Sequence, residues 1–349
     1  MNVADFTWYM GNLDWLKRRT IFLCRSGSHA YGTNIATSDE DYKGIAIPPK
    51  RYFLGSLYKF ESVETKQPID ITIYDLRKFA SMASSCNPNI IEILFTNEAD
   101  WVFVNSYWKI FVEQREMFVT KVAKDSFSGY AMAQLKRIKS HKKWLLDPPK
   151  KHPEREDYGL PQAPTLPKEQ FGLIESRIRK IEDTLGGEGW TKDKVAERDE
   201  ELVTLVASEV DLAPNLIPIV VAERKYKSAM RNWVAFCKWK DERNEKRAEL
   251  ERRFGYDTKH AMHLVRLMRM AIEILRDGQV LVRRPDAEEL LSVRDGRWSY
   301  DELMQWAQDT ETSLNAVAAE SKLPEGSDPV AIDRLLVNVV EAYLTNHPS

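Results

Sequence analysis

The chain has 349 residues, 43% of them hydrophobic, so it can bury the cores of two domains without help from disulfides or metals. A net charge of -2, with 30% of residues charged, excludes a globally basic nucleic-acid binder and leaves only local clustering for such a role. Cys24, Cys86 and Cys237 are widely spaced and form no CxxC pair, which argues against a disulfide framework and against a zinc site. The expected compartment is a reducing cytoplasm.

The N-terminal stretch MNVADFTWYMGNLDWLKRR has no uninterrupted apolar segment behind a basic start, and the longest apolar run, residues 216–222, is interrupted by Pro218. A membrane span needs roughly 20 apolar residues, so neither export nor membrane insertion is expected. From residue 18 to 104, short β-branched and aromatic runs alternate with turn signals and predict strands at 20–24, 42–47, 69–74 and 101–104. Between the last two, Leu76, Phe79 and Ala80 share one side of a helix, which breaks at Asn87-Pro88 before a second short helix.

From about residue 107 the pattern turns helical, through the basic segment YAMAQLKRIKSHKKWLLDPPKKHPERE and the polar stretch KWKDERNEKRAELERRF to an apolar helix around 332–344. Residues 147–167 hold several prolines and a DYGLP turn, and predict a loop or arm lying over the first domain. The expected fold is α+β: a small mixed-sheet domain over 1–105, then a mostly α-helical domain over 106–349 with a basic, proline-containing arm around 136–167. No fixed-period repeat or low-complexity tract argues for a solenoid or a disordered chain.

The segment RSGSHAYGTNIATSDEDYKGIAI, residues 25–47, carries the chemistry. A glycine at a strand end lets backbone amides approach a triphosphate, so Gly27 suits that role, and Ser28 adds a hydroxyl donor. Asp39 and Asp41 are two residues apart and share a face if that segment is a strand, which lets them share two cations, while Glu40 points the other way. Asp70, at the start of the strand IDITIY, completes the site as third carboxylate, with Asp75 at the strand exit as the weaker alternative. Two magnesium or manganese ions held by Asp39, Asp41 and Asp70 suit transfer from a nucleoside triphosphate, where the protein supplies mainly positioning and charge.

Strand, Gly27-Ser28, Asp39-x-Asp41 and a later strand Asp70, in that order, resemble the signature of the DNA polymerase beta-type nucleotidyltransferase superfamily. More narrowly, GSHAYGTNIATSDEDYKGI and NPNIIEILF resemble the phage and bacterial group of predicted nucleotidyltransferases often called YcgL-like. The blocks YAMAQLKRIKSHKKWLLDPP, DYGLP and GYDTKHAMHLVRLMR extend that resemblance along most of the chain. The resemblance implies that Asp39 and Asp41 bind both metals, Asp70 binds the catalytic metal, and Gly27-Ser28 hold the triphosphate.

In HAMHLVRLMRMAIEIL the apolar residues Ala261, Leu264, Val265, Met268, Ala271, Ile272 and Leu275 define one buried helix face. His263 and Arg266 then fall on the polar side, near Lys259, where they would bind nucleotide phosphates or form a solvated face or a salt bridge. Lys43 shares the strand face of Asp41 and would reach a phosphate or neutralise the carboxylates. His29 has no partner at a metal-ligand spacing and reads as structural. Lys136, Arg137, Lys139, Lys142 and Lys143, with Trp144 among them, suit nucleic-acid contact by charge and stacking; the plain alternative is a solvated helix surface.

The function expected is transfer of a nucleoside monophosphate from an NTP to an acceptor hydroxyl with release of pyrophosphate. RNA, tRNA in particular, or another nucleic-acid end is the expected acceptor. The alternatives are nucleotidylation of a protein or small molecule, or a nucleotide- or nucleic-acid-binding regulator without chemistry.

Overall fold

A computed structural model describes residues 13–66, 69–186, 199–210 and 212–347, so residues 1–12 of the N-terminal stretch weighed above for export lie outside it. Contacts divide the chain into two compact units, one formed by residues 1–142 with 246–349 and the other by residues 143–245. The expected boundary at 105/106 is not where these units divide. The last hundred residues return to the sheet, and the middle segment builds its own core.

In the first unit β1 (Thr20–Ser26), β2 (Asp41–Ala46), β3 (Ser62–Thr65), β4 (Asp70–Asp75) and β5 (Trp101–Val104) form a mixed sheet in the order β3-β4-β2-β1-β5. β2 and β4 are parallel and the other pairs antiparallel. Four strands fall where β-branched and aromatic runs place them; β3, the partly exposed sequence SVET, has too little apolar patterning to announce itself. Between β1 and β2 lies a short helix, α1 (Gly27–Tyr31).

Strand side chains alternate between faces. Phe22, Cys24 and Ile45 point into the main core, while Leu23, Ala46, Ile71 and Ile73 meet Trp15, Tyr52 and Phe60 on the other side. The main core is covered by α2 (Leu76–Ser84) and α3 (Pro88–Phe95), separated at Asn87-Pro88 as the sequence predicts, and by α4 (Ser106–Glu113). Asp75 and Asn87 cap α2 and α3, each accepting a backbone N–H with its side chain.

α5 (Ala123–Leu146) leads out of this unit. The second unit packs α6 (Lys168–Gly186), α7 (Asp199–Ala207) and α8 (Ile217–Glu242) around Ile174, Ile178, Val203, Val206 and Val220. The proline-rich segment 147–167 packs within this second unit: Arg155 pairs with Glu223 of α8 and its guanidinium lies 5.5 Å from the Tyr226 ring. α9 (Glu245–Phe254) then leads back into the first unit, followed by α10 (Thr258–Asp277), α11 (Ala287–Arg294), α12 (Tyr300–Glu320) and α13 (Pro329–Asn346). No helix among the described residues is long and apolar enough to cross a membrane.

α10 corrects one expectation. Its apolar face is buried as predicted, but Met262, Leu267 and Met270 are buried too, so most of the circumference of this helix is covered. Arg266 therefore lies inside the protein, 4% exposed, and not on a polar side. It forms an ion pair with Glu92 of α3 and its guanidinium stacks 3.8 Å from the ring of Tyr31 in α1. Tyr31 in turn donates its hydroxyl to Glu92 at 2.6 Å. Three helices distant in sequence are thus joined by one buried charge pair.

Removing one member of such a pair strands the other charge in a low dielectric. Arg266→Ala is expected to lower the unfolding free energy by about 3–5 kcal/mol, measured by urea denaturation. The double variant Arg266→Met/Glu92→Met, which removes both charges and keeps volume, is expected to lose less than the single one.

Candidate active site

The three carboxylates named from the sequence come from one end of the sheet. Asp41 opens β2 and Asp70 opens β4, and the parallel register places them directly opposite each other. Asp41 also lies opposite Ser26, the last residue of β1. Asp39 precedes the strand, in an irregular exposed stretch, so the expected strand geometry holds for Asp41 but not for Asp39. Its charge nevertheless reaches Asp41.

Gly27 follows β1 with φ +62°, a conformation that side chains disfavour, and a Cβ built there would collide with Oδ2 of Asp41. The chain turn and the carboxylate are therefore in direct apposition. Burial raises the pKa of Asp41 above the ordinary carboxylate range, and the neighbouring charges of Asp70 and Asp39 raise it further, against the opposing pull of Lys259 and Lys43. A site that crowds carboxylates in this way is short of positive charge. Carboxylate oxygens are hard donors of the kind magnesium or manganese takes, although among the described residues the ligand atoms of Asp39, Asp41 and Asp70 are not drawn together as those of His141, Asp257 and His260 are.

Asp75 stands at the other end of β4, buried, where it caps α2 and pairs with Arg77 at 2.7 Å. Glu40 accepts the Tyr42 hydroxyl at 2.6 Å, apart from the face that Asp41 and Lys43 share. Ser28 lies within α1 next to Gly27.

Lys43 reaches under α3, where its ammonium donates to the carbonyl of Asn89 at 2.7 Å. A small cavity beside it is bounded by Ser26, Gly27, Tyr31 and Glu92. Burial lowers the Lys43 pKa. Lys259, half-buried in the first turn of α10, is also lowered, by burial and then by the charges of Arg247 and Arg294, while Asp257 and Asp41 oppose the shift. Lys259 thus stands within the field of Asp41.

For Arg266 the structure shows the salt-bridge alternative of the sequence reading, and His263 lies beside it. Burial holds His263 well below the usual histidine range, reinforced by Arg266 and Lys259, so it is neutral and brings no charge to a phosphate. Arg266 is committed to Glu92 and Tyr31. Its place is behind α1, where it holds the turn that carries Gly27-Ser28.

Sequence reasoning did not find the contacts that bring α9 to this site. Lys246 donates to the carbonyl of Thr37, in the loop that carries Asp39, at 3.1 Å. No local pattern could signal a contact 209 residues apart.

Of the basic cluster, Lys136, Arg137, Lys139 and Lys143 are exposed along the end of α5. Lys142 instead lies 4.4 Å from the Tyr300 ring. Trp144 is 7% exposed, donates its indole N–H to Asn232 at 3.0 Å and packs against Phe236 and Trp239. It is a core residue of the second unit and not an open stacking platform.

Residues 10–146 match the model of RlaP, the RNA repair pathway DNA polymerase beta family. The resemblance to DNA polymerase beta-type nucleotidyltransferases is thereby borne out. A 38.9 kDa protein of unassigned activity from the nrdC-mobD intergenic region of Enterobacteria phage T4 is 26% identical over 352 residues, covering 95% of this chain and 99% of its own length. No solved structure matches.

The apposition of Gly27 and Asp41 yields a direct test. Gly27→Ala forces the turn away from the carboxylate and is expected to reduce nucleotidyl transfer at least tenfold, by analogy with the cost of displacing a positioned group by about 1 Å. Circular dichroism checks that the fold survives, and magnesium titration of activity shows whether metal use is displaced with it.

Proposed function

We propose that the chain transfers a nucleoside monophosphate from an NTP to a hydroxyl of an RNA end, tRNA included, with release of pyrophosphate. The observation that carries this reading is the in-register pair Asp41 and Asp70, set against a side-chain-free turn at Gly27. The match of residues 10–146 to an RNA repair family of polymerase beta type supports the reaction class.

In this reading Asp39, Asp41 and Asp70 hold two divalent ions, magnesium or manganese. Bound there, such ions neutralise the triphosphate and stabilise the attacking and leaving oxygens. The chain's own residues do the rest. Gly27 and Ser28 offer a backbone amide and a hydroxyl to the triphosphate, and Lys43 and Lys259 add positive charge beside it.

Asp70 orients the acceptor hydroxyl and takes its proton. The hydroxyl oxygen forms the new bond to the α-phosphorus as the bond to the β-phosphate bridging oxygen breaks, and pyrophosphate carries that electron pair away. The exposed Lys136, Arg137, Lys139 and Lys143 hold the acceptor by its phosphates, without the stacking that a free Trp144 would have supplied.

Incubation of the protein with each radiolabelled NTP, magnesium or manganese, and total RNA or cell lysate is expected to label RNA. The Asp39→Ala/Asp41→Ala variant is expected to transfer nothing; label that persists in it overturns the catalytic assignment. Label on protein or on small molecules in place of RNA moves the acceptor to nucleotidylation of those classes.

A second measurement concerns the basic helix end. Replacing Lys136, Arg137, Lys139 and Lys143 by Ala is expected to weaken tRNA binding and to flatten the dependence of log K on log salt by up to about 3. An unchanged slope in a filter-binding titration removes these residues from the acceptor site.

A further inference from the structure

Where the chain leaves the first unit and returns to it, four polar side chains converge in the interior. His141 belongs to α5, Glu251 to α9, and Asp257 and His260 to the cap and first turn of α10. Asp257 and Glu251 are 0% and 2% exposed and His260 is 4% exposed. One ligand atom each from His141, Asp257 and His260 lies within 4.8 Å of the others, and His260 Nε2 is 3.5 Å from Asp257 Oδ2. That last spacing suits two donors on one small metal ion.

The hydrogen bonds orient these donors inward. His260 Nδ1 is 2.7 Å from Gln134 Oε1, and Nε2 is 2.6 Å from an Arg247 guanidinium nitrogen. Arginine only donates and the amide oxygen only accepts, so both partners require the same neutral tautomer: Nδ1 carries the proton and the Nε2 lone pair faces a cation. His260 is thus backed by an oxygen acceptor on the nitrogen that would not bind metal, the arrangement that orients metal-bound imidazoles. His141 Nδ1 lies 3.3 Å from Glu251 Oε1, a charge contact and not a hydrogen bond.

Asp257 completes the pattern. One carboxylate oxygen caps α10 by accepting the His260 N–H at 3.0 Å, and Oδ2 remains turned to the cluster. The cation in that place is Arg247 Nη1, 3.4 Å from Oδ2, on a side chain that is 35% exposed and able to swing outward.

We propose that His141, Asp257 and His260 form a binding site for a divalent ion of the zinc class, which would displace the Arg247 guanidinium from Oδ2 of Asp257. Two imidazoles and one carboxylate are borderline donors that favour zinc over magnesium, so the site is chemically distinct from the aspartates of the sheet. An ion here ties α5 to α10, fastening the points at which the chain crosses into and out of the second unit. This inference does not depend on the proposed reaction.

The test uses the full chain, freed of metal with EDTA, dialysed, and titrated with zinc chloride in excess magnesium by calorimetry and by thermal unfolding. One equivalent is expected to bind and to raise the melting temperature. Cobalt(II) in its place is expected to give the visible absorption of a low-coordinate nitrogen and oxygen site. The Asp39→Ala/Asp41→Ala/Asp70→Ala variant should bind zinc as the wild type does, and His141→Ala should lose it.

Arg247→Ala removes the competing cation and is expected to tighten zinc about tenfold. This variant keeps the test decisive even if a histidine variant fails to fold. Absence of one-to-one zinc uptake by the wild type, or uptake lost in the triple aspartate variant and kept in His141→Ala, overturns the proposal.

Discussion

The parallel pairing of β2 with β4 is the constraint from which the candidate site follows. Its register sets Asp41 beside Asp70, two carboxylates that repel each other at the end of the sheet. Hydrogen bonding along the two strands and burial of Ile45, Ile71 and Ile73 on either face hold that register despite the repulsion. Burial raises the pKa of Asp41, and the charge of Asp70 raises it further, against the pull of Lys259 and Lys43.

The second element of the site, the turn at Gly27-Ser28, cannot be held by the sheet alone, because α1 is only five residues long. It is fastened from behind. Tyr31, the last residue of α1, lies between the Arg266 guanidinium and the Glu92 carboxylate, and its carbonyl accepts the backbone N–H of Arg284 at 3.0 Å. A helix from the C-terminal part of the chain thereby decides where the N-terminal turn stands. The sheet supplies the carboxylates, and α10 supplies the support.

Much of this was legible beforehand, and the failures have a common cause. Strand runs such as IDITIY and the break at Asn87-Pro88 are local signals, and the order Gly27-Ser28, Asp39-x-Asp41, Asp70 is a local pattern with one obvious chemistry. For Arg266 a salt bridge is among the readings the sequence leaves open, but its burial is not, because helical periodicity marks which residues are apolar, not how many sides of a helix are covered; α10 is enclosed by several partners, so a charge on its polar side is buried with a counter-charge. Trp144 misled for a related reason. Its lysine-rich neighbourhood belongs to the exposed side of α5, whereas its own ring is captured by Phe236 and Trp239, about ninety residues away in sequence. Contacts of that span leave no trace in a periodicity.

The same point bears on what counts as the functional unit. The matched segment, residues 10–146, contains the sheet and all three aspartates, but it does not contain its own support. Glu92 would be left buried without Arg266, and Arg19, whose guanidinium donates to the carbonyl of His347 at 3.0 Å, would lose that acceptor. The ring of Tyr107 in α4 would lose its edge contact, 5.0 Å between centroids, with Tyr343 of α13. The residues that follow the second unit therefore finish the first one. The chain leaves the first unit along α5 and re-enters it along α9, and these two helices meet where His141 Nδ1 lies 3.3 Å from Glu251 Oε1, so α9 too is among the elements that complete the unit begun by the matched segment.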